Sequence, residues 1–408
     1  MIELSSDQSN AIEQILDWYK AYQRKEDVPQ VLTLGGYAGT GKTTVMSFLR
    51  KELHPDDRVA FMAFTGKATA VLDKKLSKDW NVVDNISTIH SFMYRPILKN
   101  HEIVGWEHKD MCDKDGWYSW EEMVNLAPYA DLIIVDEASM LPDDLFEDLL
   151  KYGRPILAVG DHGQLPPVKS QFNLMVNPKI KLEKIHRQAE DNPIIVLAHY
   201  ARVGDPINYG VYGDHQVVKI RRHEVDGSRA EQIIADNDMD TLVLTGTNRE
   251  RTKINKRVLA YKRKDESTIT EDDMKCPRIG DKVICLRNNR KVGIYNGMIA
   301  VIENIYTPFK HPDYNFGLLV NTNGDCRIRL DVAKVFFLNE TKRVKDGYEW
   351  YKAGEQFDYA YALTCHKAQG SEAKKVVVFG TGFGDEEIRR RWLYTAITRA
   401  QEELWLIS

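Results

Sequence analysis

The feature that most constrains this chain is a glycine-rich turn between an apolar run and a helix-like segment, at residues 31–49. Gly36, Gly41, Lys42 and Thr43 match the pattern G-x-x-x-x-G-K-[ST], the phosphate loop. The glycines allow successive backbone N–H groups to point at one anion, and the helix that follows adds the positive end of its dipole. Lys42 supplies charge for the terminal phosphates, and the Thr43 hydroxyl can bind magnesium. The sequence therefore predicts a nucleoside triphosphate site.

Length and composition limit the classes of protein to which the chain can belong. The 408 residues are enough for two to four domains, and 60 acidic against 56 basic residues give a net charge of −4. Any nucleic acid must therefore meet a local basic patch. No apolar run approaches the roughly 18 residues of a membrane span, and the first ten residues lack a signal-peptide pattern. Five cysteines without C-x-x-C spacing favour reduced thiols in a cytoplasmic protein, either bacterial or encoded by a phage and made in a bacterial host.

Further apolar runs of strand length are each followed by a polar turn, as in parallel α/β folds. Residues 58–64 lead into Thr65-Gly66-Lys67, and a later segment ends in Thr88-Ile89-His90. Such turns lie at the carboxyl edge of a parallel sheet, where open α/β folds bind ligands. Residues 5–22 have the apolar spacing of an amphipathic helix, with Ser6 or Asp7 as its N-cap.

Acidic and amide side chains follow two of these runs. Residues 131–135 open into Asp136 and Glu137. Beside a phosphate loop, Asp136 can hold the metal, and Glu137 can orient and deprotonate the attacking water. Gln164 follows the next run and can sense the γ-phosphate or position water, while Arg187 is a candidate for stabilising transition-state charge. Acidic residues that simply begin a helix are the alternative for the first pair.

A segment rich in aromatic residues, 94–128, interrupts the alternating pattern. Residues 96–106 predict a short hairpin that turns near Asn100 and His101. The aromatic side chains either stack on bases or fill a small core, and the sequence leaves both open.

A second unit begins near Ile194. Residues 280–351 consist of short β-type runs separated by Asn and Gly, which predicts a small β-barrel inserted into this unit. The α/β pattern returns at 358–363 and closes with a helix at 386–400 and a strand at 403–407.

Seven segments, taken in order, resemble the motifs of superfamily 1 helicases, most closely the RecD-like and phage Dda-like group. They are GYAGTGKT, FTGKA, DEAS, GDHGQLPPV, HRQ, TCHKAQGSE and YTAITRA. The resemblance implies an α/β fold with two RecA-like P-loop NTPase domains, at 1–180 and 181–408. It also implies an inserted pin domain at 91–128 and an inserted SH3-like β domain at 280–355.

The resemblance implies roles for individual residues. The catalytic residues are Lys42, Asp136, Glu137, Gln164, Arg187 and Arg399. The ATP-binding residues are Gln8, Gly36, Gly39, Thr40, Gly41, Lys42, Thr43, Thr44, Gly370 and Glu372, with Gln8 reading the adenine edge. The magnesium ligands are Thr43 and Asp136. The DNA-binding residues are Phe64, Thr65, Gly66, Lys67, Thr88, His90, Thr364, His366 and Lys367.

The implied activity is that of an ATP- and Mg²⁺-dependent DNA helicase that moves 5′ to 3′ along single strands and separates duplexes. The expected partners are single-stranded and tailed duplex DNA and proteins of replication or recombination, and the expected state is a monomer. Phe64 stands where relatives often have proline, and the predicted hairpin turn lacks an obvious apolar wedge. The alternatives are an ATP-gated clamp or remodeller that does not unwind, a small-molecule P-loop kinase, and RNA as the track.

Overall fold

The structure, a computed structural model, divides into two compact units, Met1–Asp191 and Asn192–Ser408. It describes residues 4–76, 84–99, 102–114, 116–119, 122, 125–166, 173–184, 192–214, 216–225, 239–263, 270–289, 292–313, 315–322, 326–338, 354–380 and 382–408. Among these residues, no helix is both long and apolar enough to cross a membrane.

The helices are numbered in chain order. In the first unit they are α1 Ser6–Gln23, α2 Lys42–Glu52, α3 Gly66–Leu76, α4 Ile89–Met93 and α5 Asp143–Leu150. In the second unit they are α6 Pro193–Val203, α7 Asn248–Lys262, α8 Glu271–Lys275, α9 Cys365–Ala368 and α10 Glu386–Ile397.

The strands are numbered in the same way. In the first unit they are β1 Val31–Gly36, β2 Val59–Ala63, β3 Asn85–Thr88, β4 Tyr94–Lys99, β5 Glu102–His108, β6 Leu132–Asp136, β7 Ile156–Gly160 and β8 Ile180–Leu182. In the second unit they are β9 Gly210–Tyr212, β10 Val217–Ile220, β11 Thr241–Thr245, β12 Lys282–Cys285, β13 Ile299–Tyr306, β14 Asn315–Thr322, β15 Cys326–Ala333, β16 Phe357–Tyr359, β17 Leu363–Thr364, β18 Ala373–Phe379 and β19 Ala400–Ile407.

The first unit is built on a six-stranded sheet in the order β3-β2-β6-β7-β1-β8. Every neighbouring pair in this sheet is parallel. The central strands are buried along almost their whole length, since they are apolar runs and apolar cores cover both faces of the sheet. The predicted α/β fold with a parallel sheet is confirmed.

Helix α1 forms where the apolar spacing predicts it, but its cap differs from the prediction. The N-cap is Ser5, not Ser6 or Asp7. The Gln8 backbone N–H donates to Ser5 Oγ (3.3 Å), and the Ser5 N–H donates to Gln8 Oε1 (3.0 Å). This reciprocal capping box fixes the start of the helix, because it satisfies two backbone donors at once.

Strands β4 and β5 form the predicted antiparallel hairpin. The predicted turn at Asn100 and His101 lies outside the described residues. Two tryptophans bear on whether the aromatic side chains form a small core. Trp117 is fully exposed and Trp106 is half exposed, so neither fills a core within the described residues.

The second unit has a six-stranded sheet in the order β17-β11-β18-β19-β10-β9. Its neighbouring strands are parallel except for β9, which is antiparallel to β10. Between β11 and β17 in the sequence, strands β12 to β16 form an antiparallel sheet in the order β15-β14-β13-β12-β16. The finer prediction of an SH3-like barrel remains a prediction.

Buried polar contacts join the antiparallel sheet to the rest of this unit. Lys282, on β12, is 2% exposed, and its Nζ donates to the backbone oxygen of Thr241 on β11 (2.7 Å). Arg251, on α7, forms a buried ion pair with Asp358 on β16 (2.7 Å). One apolar core also includes side chains from both sheets. The antiparallel sheet is thus packed into its unit as well as inserted in its sequence.

Candidate nucleotide site and nucleic-acid contacts

The predicted residues of the first unit lie side by side along the carboxyl edge of its sheet. In strand order they are Thr88 at the end of β3, Thr65 after β2, Asp136 at the end of β6, Gln164 after β7 and Gly36 at the end of β1. Neighbouring strands are about 4.8 Å apart, so β1 is about 10 Å from β6 and about 19 Å from β3. The phosphate loop is therefore close to the acidic pair, and the predicted DNA contacts lie farther along the same edge.

The phosphate loop has the backbone that its glycines allow. Gly39 and Gly41 have φ of 81° and 82°, in the left-handed region, and Gly41 is the N-cap of α2. Lys42 Nζ donates to the backbone oxygens of Gly36 (2.7 Å) and Tyr37 (3.2 Å). The ammonium group is thus held over the loop, where it can exchange these carbonyl oxygens for phosphate oxygens.

Gln8 connects α1 to this loop. Its Nε2 donates to the backbone oxygen of Thr40 (3.1 Å), while its Oε1 accepts from Ser5. Both Gln8 and Thr40 are buried. The side chain therefore has a structural role that the sequence did not indicate, and its predicted contact with adenine stays a prediction.

Glu137 has an unusual environment for an acidic residue. Its backbone lies in the left-handed region (φ 54°, ψ 38°), a conformation that costs a non-glycine residue about 1–3 kcal/mol. Its N–H donates to Asp136 Oδ1 (2.9 Å), and within the described part of the chain its buried Oε2 has no hydrogen-bond partner. A buried acceptor in that condition is stabilised by any donor that enters, such as a water molecule.

Gln164, like Glu137, has a buried side-chain oxygen that is open to a donor. The residue is 4% exposed, and among the described residues its buried Oε1 has no hydrogen-bond partner. Its backbone N–H donates to the backbone oxygen of Asp161 (3.3 Å), and the buried Asp161 carboxylate accepts from the Gly163 N–H (2.9 Å). Asp161 therefore shapes the turn that presents Gln164. The position of Asp161 directly after the buried strand β7 was the sequence signal that could have identified this role.

A ring contact joins the phosphate loop to the Gln164 turn. The rings of Tyr37 and His162 are 4.1 Å apart between centroids, inclined at 46°. Sequence reasoning missed this pair, since nothing in either segment indicates a partner so far away in the chain. The contact ties the loop that holds phosphates to the turn that carries the predicted sensor.

Oxygen donors at this edge fit a magnesium ion. The predicted ligands, the Thr43 hydroxyl and the Asp136 carboxylate, are hard oxygen donors, which Mg²⁺ prefers. In the described ranges, no group of three or more His, Cys, Asp or Glu side chains is placed to hold a metal by itself. The arrangement suits a metal whose remaining ligands are phosphate oxygens and water, as Mg²⁺ usually has.

The predicted DNA-binding threonines of the first unit have local structural roles as well. Thr65 Oγ1 accepts from the Ala68 N–H (3.1 Å) at the start of α3, and Thr88 Oγ1 accepts from the Ser91 N–H (3.2 Å) at the start of α4. The remaining predicted contacts beside Thr65 are half-buried: Phe64, Gly66 and Lys67.

His90 lies among aromatic side chains. Its ring is 4.8 Å from that of Tyr94 and 4.4 Å, edge to face, from that of Trp106 on the hairpin. Burial lowers the pKa of His90 below its usual 6.5, so the imidazole is neutral at pH 7. His90, a predicted DNA contact, therefore touches the β4–β5 hairpin directly.

The predicted DNA contacts of the second unit follow β17. Thr364 ends this strand, and His366 and Lys367 lie on α9. The His366 ring is 5.7 Å from that of Phe383, and burial lowers the pKa of His366 below 6.5.

The predicted nucleotide contacts of the second unit do not lie beside these DNA contacts after β17. Gly370 has φ of 71°, while Glu372 and Arg399 immediately precede β18 and β19. Glu372 Oε2 accepts from Gln401 Nε2 (2.9 Å). Arg399 is 5% exposed. Arg187, the other predicted arginine, lies outside the described residues.

Arg399 makes three hydrogen bonds within its own unit. Its Nε donates to the backbone oxygen of Thr395 (3.1 Å), its Nη1 to that of Ser371 (3.4 Å), and its Nη2 to Thr398 Oγ1 (3.2 Å). Each nitrogen of the Arg399 guanidinium therefore has a hydrogen-bond acceptor in this structure.

Two parallel sheets, the first with a phosphate loop beside a strand that ends in Asp136, place the chain among the P-loop NTPases. The chain belongs to the AAA domain family, whose model matches residues 3–223, more than half of its length. A model described as the UvrD-like helicase C-terminal domain matches residues 359–407.

Known proteins align with most of the chain. The ATP-dependent RecD2 DNA helicase of Deinococcus radiodurans is 27% identical over 397 residues, covering 92% of this chain and 46% of that protein. The ATP-dependent DNA helicase dda of Enterobacteria phage T4 is 24% identical over 468 residues, covering 99% of each. The chain spans less than half the length of several curated relatives that it matches, RecD2 among them. The predicted resemblance to the RecD-like and Dda-like helicases is confirmed.

A solved structure shows the same fold. The crystal structure of Pif1 helicase from Bacteroides, in complex with ADP-AlF3 and ssDNA, superimposes with a TM-score of 0.55 at 18% identity. The match covers 100% of this chain and 92% of that one. The parallel sheets of this chain therefore correspond to the RecA-like domains of that helicase.

Proposed function

We propose that this chain is an ATP-dependent DNA helicase that hydrolyses ATP to move 5′ to 3′ along single-stranded DNA and separate duplex strands. One observation carries the proposal: a phosphate loop, an acidic pair, a buried glutamine and the predicted DNA contacts of the first unit share one sheet edge in strand order. The family, the helicase relatives and the DNA-bound structural neighbour support the same reading. The direction of movement comes from the resemblance alone.

For ATP binding, we assign the phosphates to the backbone N–H groups at the start of α2 and to Lys42. The Gly41 conformation turns these N–H groups toward one anion, and the helix dipole favours its charge. Thr43 and Asp136 would hold Mg²⁺. That ion, when bound, neutralises charge that develops on the phosphate oxygens.

For hydrolysis, we assign the base to Glu137. Its buried oxygen accepts a hydrogen bond from the attacking water and then its proton, while the oxygen of that water bonds to the γ-phosphorus and ADP leaves. Gln164 Oε1 accepts a second hydrogen bond from that water and positions it, while the Gln164 amide Nε2–H₂ is the group that can donate to the γ-phosphate. Arg187 and Arg399 are assigned to the charge of the transition state on the resemblance.

For movement, we assign the grip on the strand to Thr65, Lys67 and His90 in the first unit and to His366 and Lys367 in the second. Both imidazoles are neutral at pH 7 and act through hydrogen bonds or ring contacts. The lysines carry the charge that meets phosphates, so affinity for DNA should fall steeply with salt.

The deciding experiment measures ATP-dependent unwinding of two duplexes, one with a 5′ and one with a 3′ single-stranded tail. Opening of the 5′-tailed duplex alone supports the full proposal, and opening of the 3′-tailed duplex alone reverses the direction. ATP hydrolysis stimulated by single strands without opening of either duplex indicates a translocating clamp. Hydrolysis that is indifferent to single strands contradicts a motor, and single-stranded RNA in parallel identifies the track.

A further inference from the structure

An exposed aromatic side chain is stacked on an arginine at one end of the antiparallel sheet. Phe309, in the segment after β13, is 69% exposed. The Arg329 guanidinium carbon lies 4.3 Å from the centre of the Phe309 ring and 3.8 Å from that of Tyr306. The guanidinium thus contacts both rings, and Phe309 leaves much of its surface to solvent.

The backbone that carries Phe309 is held firmly. The Asp331 carboxylate accepts from the N–H groups of Phe309 (3.0 Å) and Lys310 (2.8 Å). The Tyr306 hydroxyl donates to the backbone oxygen of Leu330 (2.9 Å). Ordering a large apolar side chain without burying it costs conformational entropy and returns little hydrophobic stabilisation. A ring that is ordered yet exposed suits a ligand that stacks on it.

The charges around the ring select the kind of ligand. Lys310, Arg327 and Arg329 are all exposed. Arg327 is paired with Glu303 (2.7 Å), and the nearby Asp331 carboxylate is occupied by the two backbone N–H groups. A flat apolar face beside cationic groups matches a nucleobase attached to a phosphate backbone.

We propose that Phe309, backed by Arg329 and Tyr306, is a stacking site for one base of a single strand, with Lys310 beside its phosphate. This inference rests on the proposed function, because it assigns part of the track to the antiparallel sheet. Stacking on Phe309 carries no base preference, since every base has a flat face.

The test uses the full chain and single-stranded DNA that carries one 2-aminopurine, moved base by base along the strand. Stacking on an aromatic ring quenches this fluorophore, so the intact protein should quench it strongly at one position assigned to Phe309. Phe309→Ala should abolish that quenching and weaken binding about fivefold or more. Phe309→Trp should retain both the quenching and the affinity of the unaltered protein. Lys310→Ala should retain the quenching and reduce the salt dependence of binding by about one phosphate contact.

The matched control is Ile279→Ala, which removes another exposed apolar side chain, 64% exposed, from the same unit. It should leave binding and quenching unchanged. Equal behaviour of the Phe309→Ala and Ile279→Ala variants would overturn the stacking site. So would weaker binding by Phe309→Ala with the quenching pattern intact. If the unaltered protein does not bind single strands at all, the proposed function fails instead.

Discussion

The two six-stranded sheets carry their predicted nucleotide contacts at opposite ends of their parallel strands. In the first unit the phosphate loop, Asp136 and Gln164 all follow the carboxyl ends. In the second, Glu372 and Arg399 precede the amino ends of β18 and β19. The register pairs Thr364 with Thr245 and Thr245 with Phe379. The start of β18 is therefore about 20 Å along the strands from Thr364.

This difference separates two ways of meeting a phosphate. A carboxyl edge leads into helix N-termini, so the first unit can offer backbone N–H groups that glycines such as Gly41 point at one anion. At the amino edge of the second sheet, the described residue predicted to meet phosphate charge is Arg399, which does so through a long side chain. The first arrangement depends on backbone conformation, and the second depends on what holds the side chain.

The predicted catalytic residues of the two units also differ in their hydrogen bonds. Glu137 and Gln164 each keep a buried oxygen without a partner among the described residues, whereas Arg399 makes three hydrogen bonds. A ligand completes the bonding of the first pair, whereas each of the three Arg399 nitrogens already donates to a group within its own unit. Substitutions of Glu137 or Gln164 should therefore affect activity alone, and substitutions of Arg399 should affect stability as well.

The largest expected effect comes from Glu137→Gln. Turnover of ATP should fall about 10²- to 10⁴-fold, because the amide cannot accept the proton of the attacking water. ATP binding and the free energy of unfolding should be nearly unchanged, since glutamine keeps the size of the side chain and the buried Oε2 of Glu137 has no hydrogen-bond partner among the described residues. Steady-state hydrolysis, nucleotide binding and denaturant unfolding measure the three quantities.

Glu147→Gln is the control, because it makes the same change at an exposed position on α5. It should alter none of the three quantities. Normal hydrolysis by the Glu137 variant would refute its assignment as the base.

A smaller effect on turnover, joined to a loss of stability, is expected from Arg399→Lys. The lysine keeps the charge but cannot reproduce the fork of donors, so hydrolysis should fall about tenfold or more. Stability should fall by roughly 1–3 kcal/mol, because buried backbone oxygens lose donors. Arg389→Lys, at an exposed position on α10, is the control. Unchanged stability in the Arg399 variant would remove the contrast between the two units.

The smallest effect concerns pH. Burial holds the pKa of His366 below that of the unfolded chain, so the unfolded state binds more protons as the pH falls below about 6.5. The stability linked to His366 is therefore present above pH 6.5 and lost as the solution is acidified. His366→Asn should show a shallower loss of stability between pH 7.5 and 5.5. His223→Asn, at an exposed position, should follow the unaltered protein, and parallel pH curves for all three proteins would contradict the assignment.

The sequence predicted the parallel sheet, the hairpin and the turns after each strand, because these follow from apolar runs, glycines and short-range spacing. It did not predict the left-handed backbone of Glu137, which depends on how β6 and the next turn pack. The contact between Tyr37 and His162 was also missed, since only strand order brings β1 beside β7. Gln8 shows a third limit: one side chain both caps a helix and anchors a loop.

The buried link between Lys282 and Thr241 bears on whether the antiparallel sheet is a module. A module can be cut out, swapped or grafted onto another protein with its fold intact. Removal of β12 to β16 would take away the partner of Arg251 and the donor to Thr241, and it would open a core to which both sheets contribute. The sheet thus lies between two strands of the parallel sheet in chain order and is also an integral part of the folded unit, so an exchange between relatives must carry α7 and β11 with it.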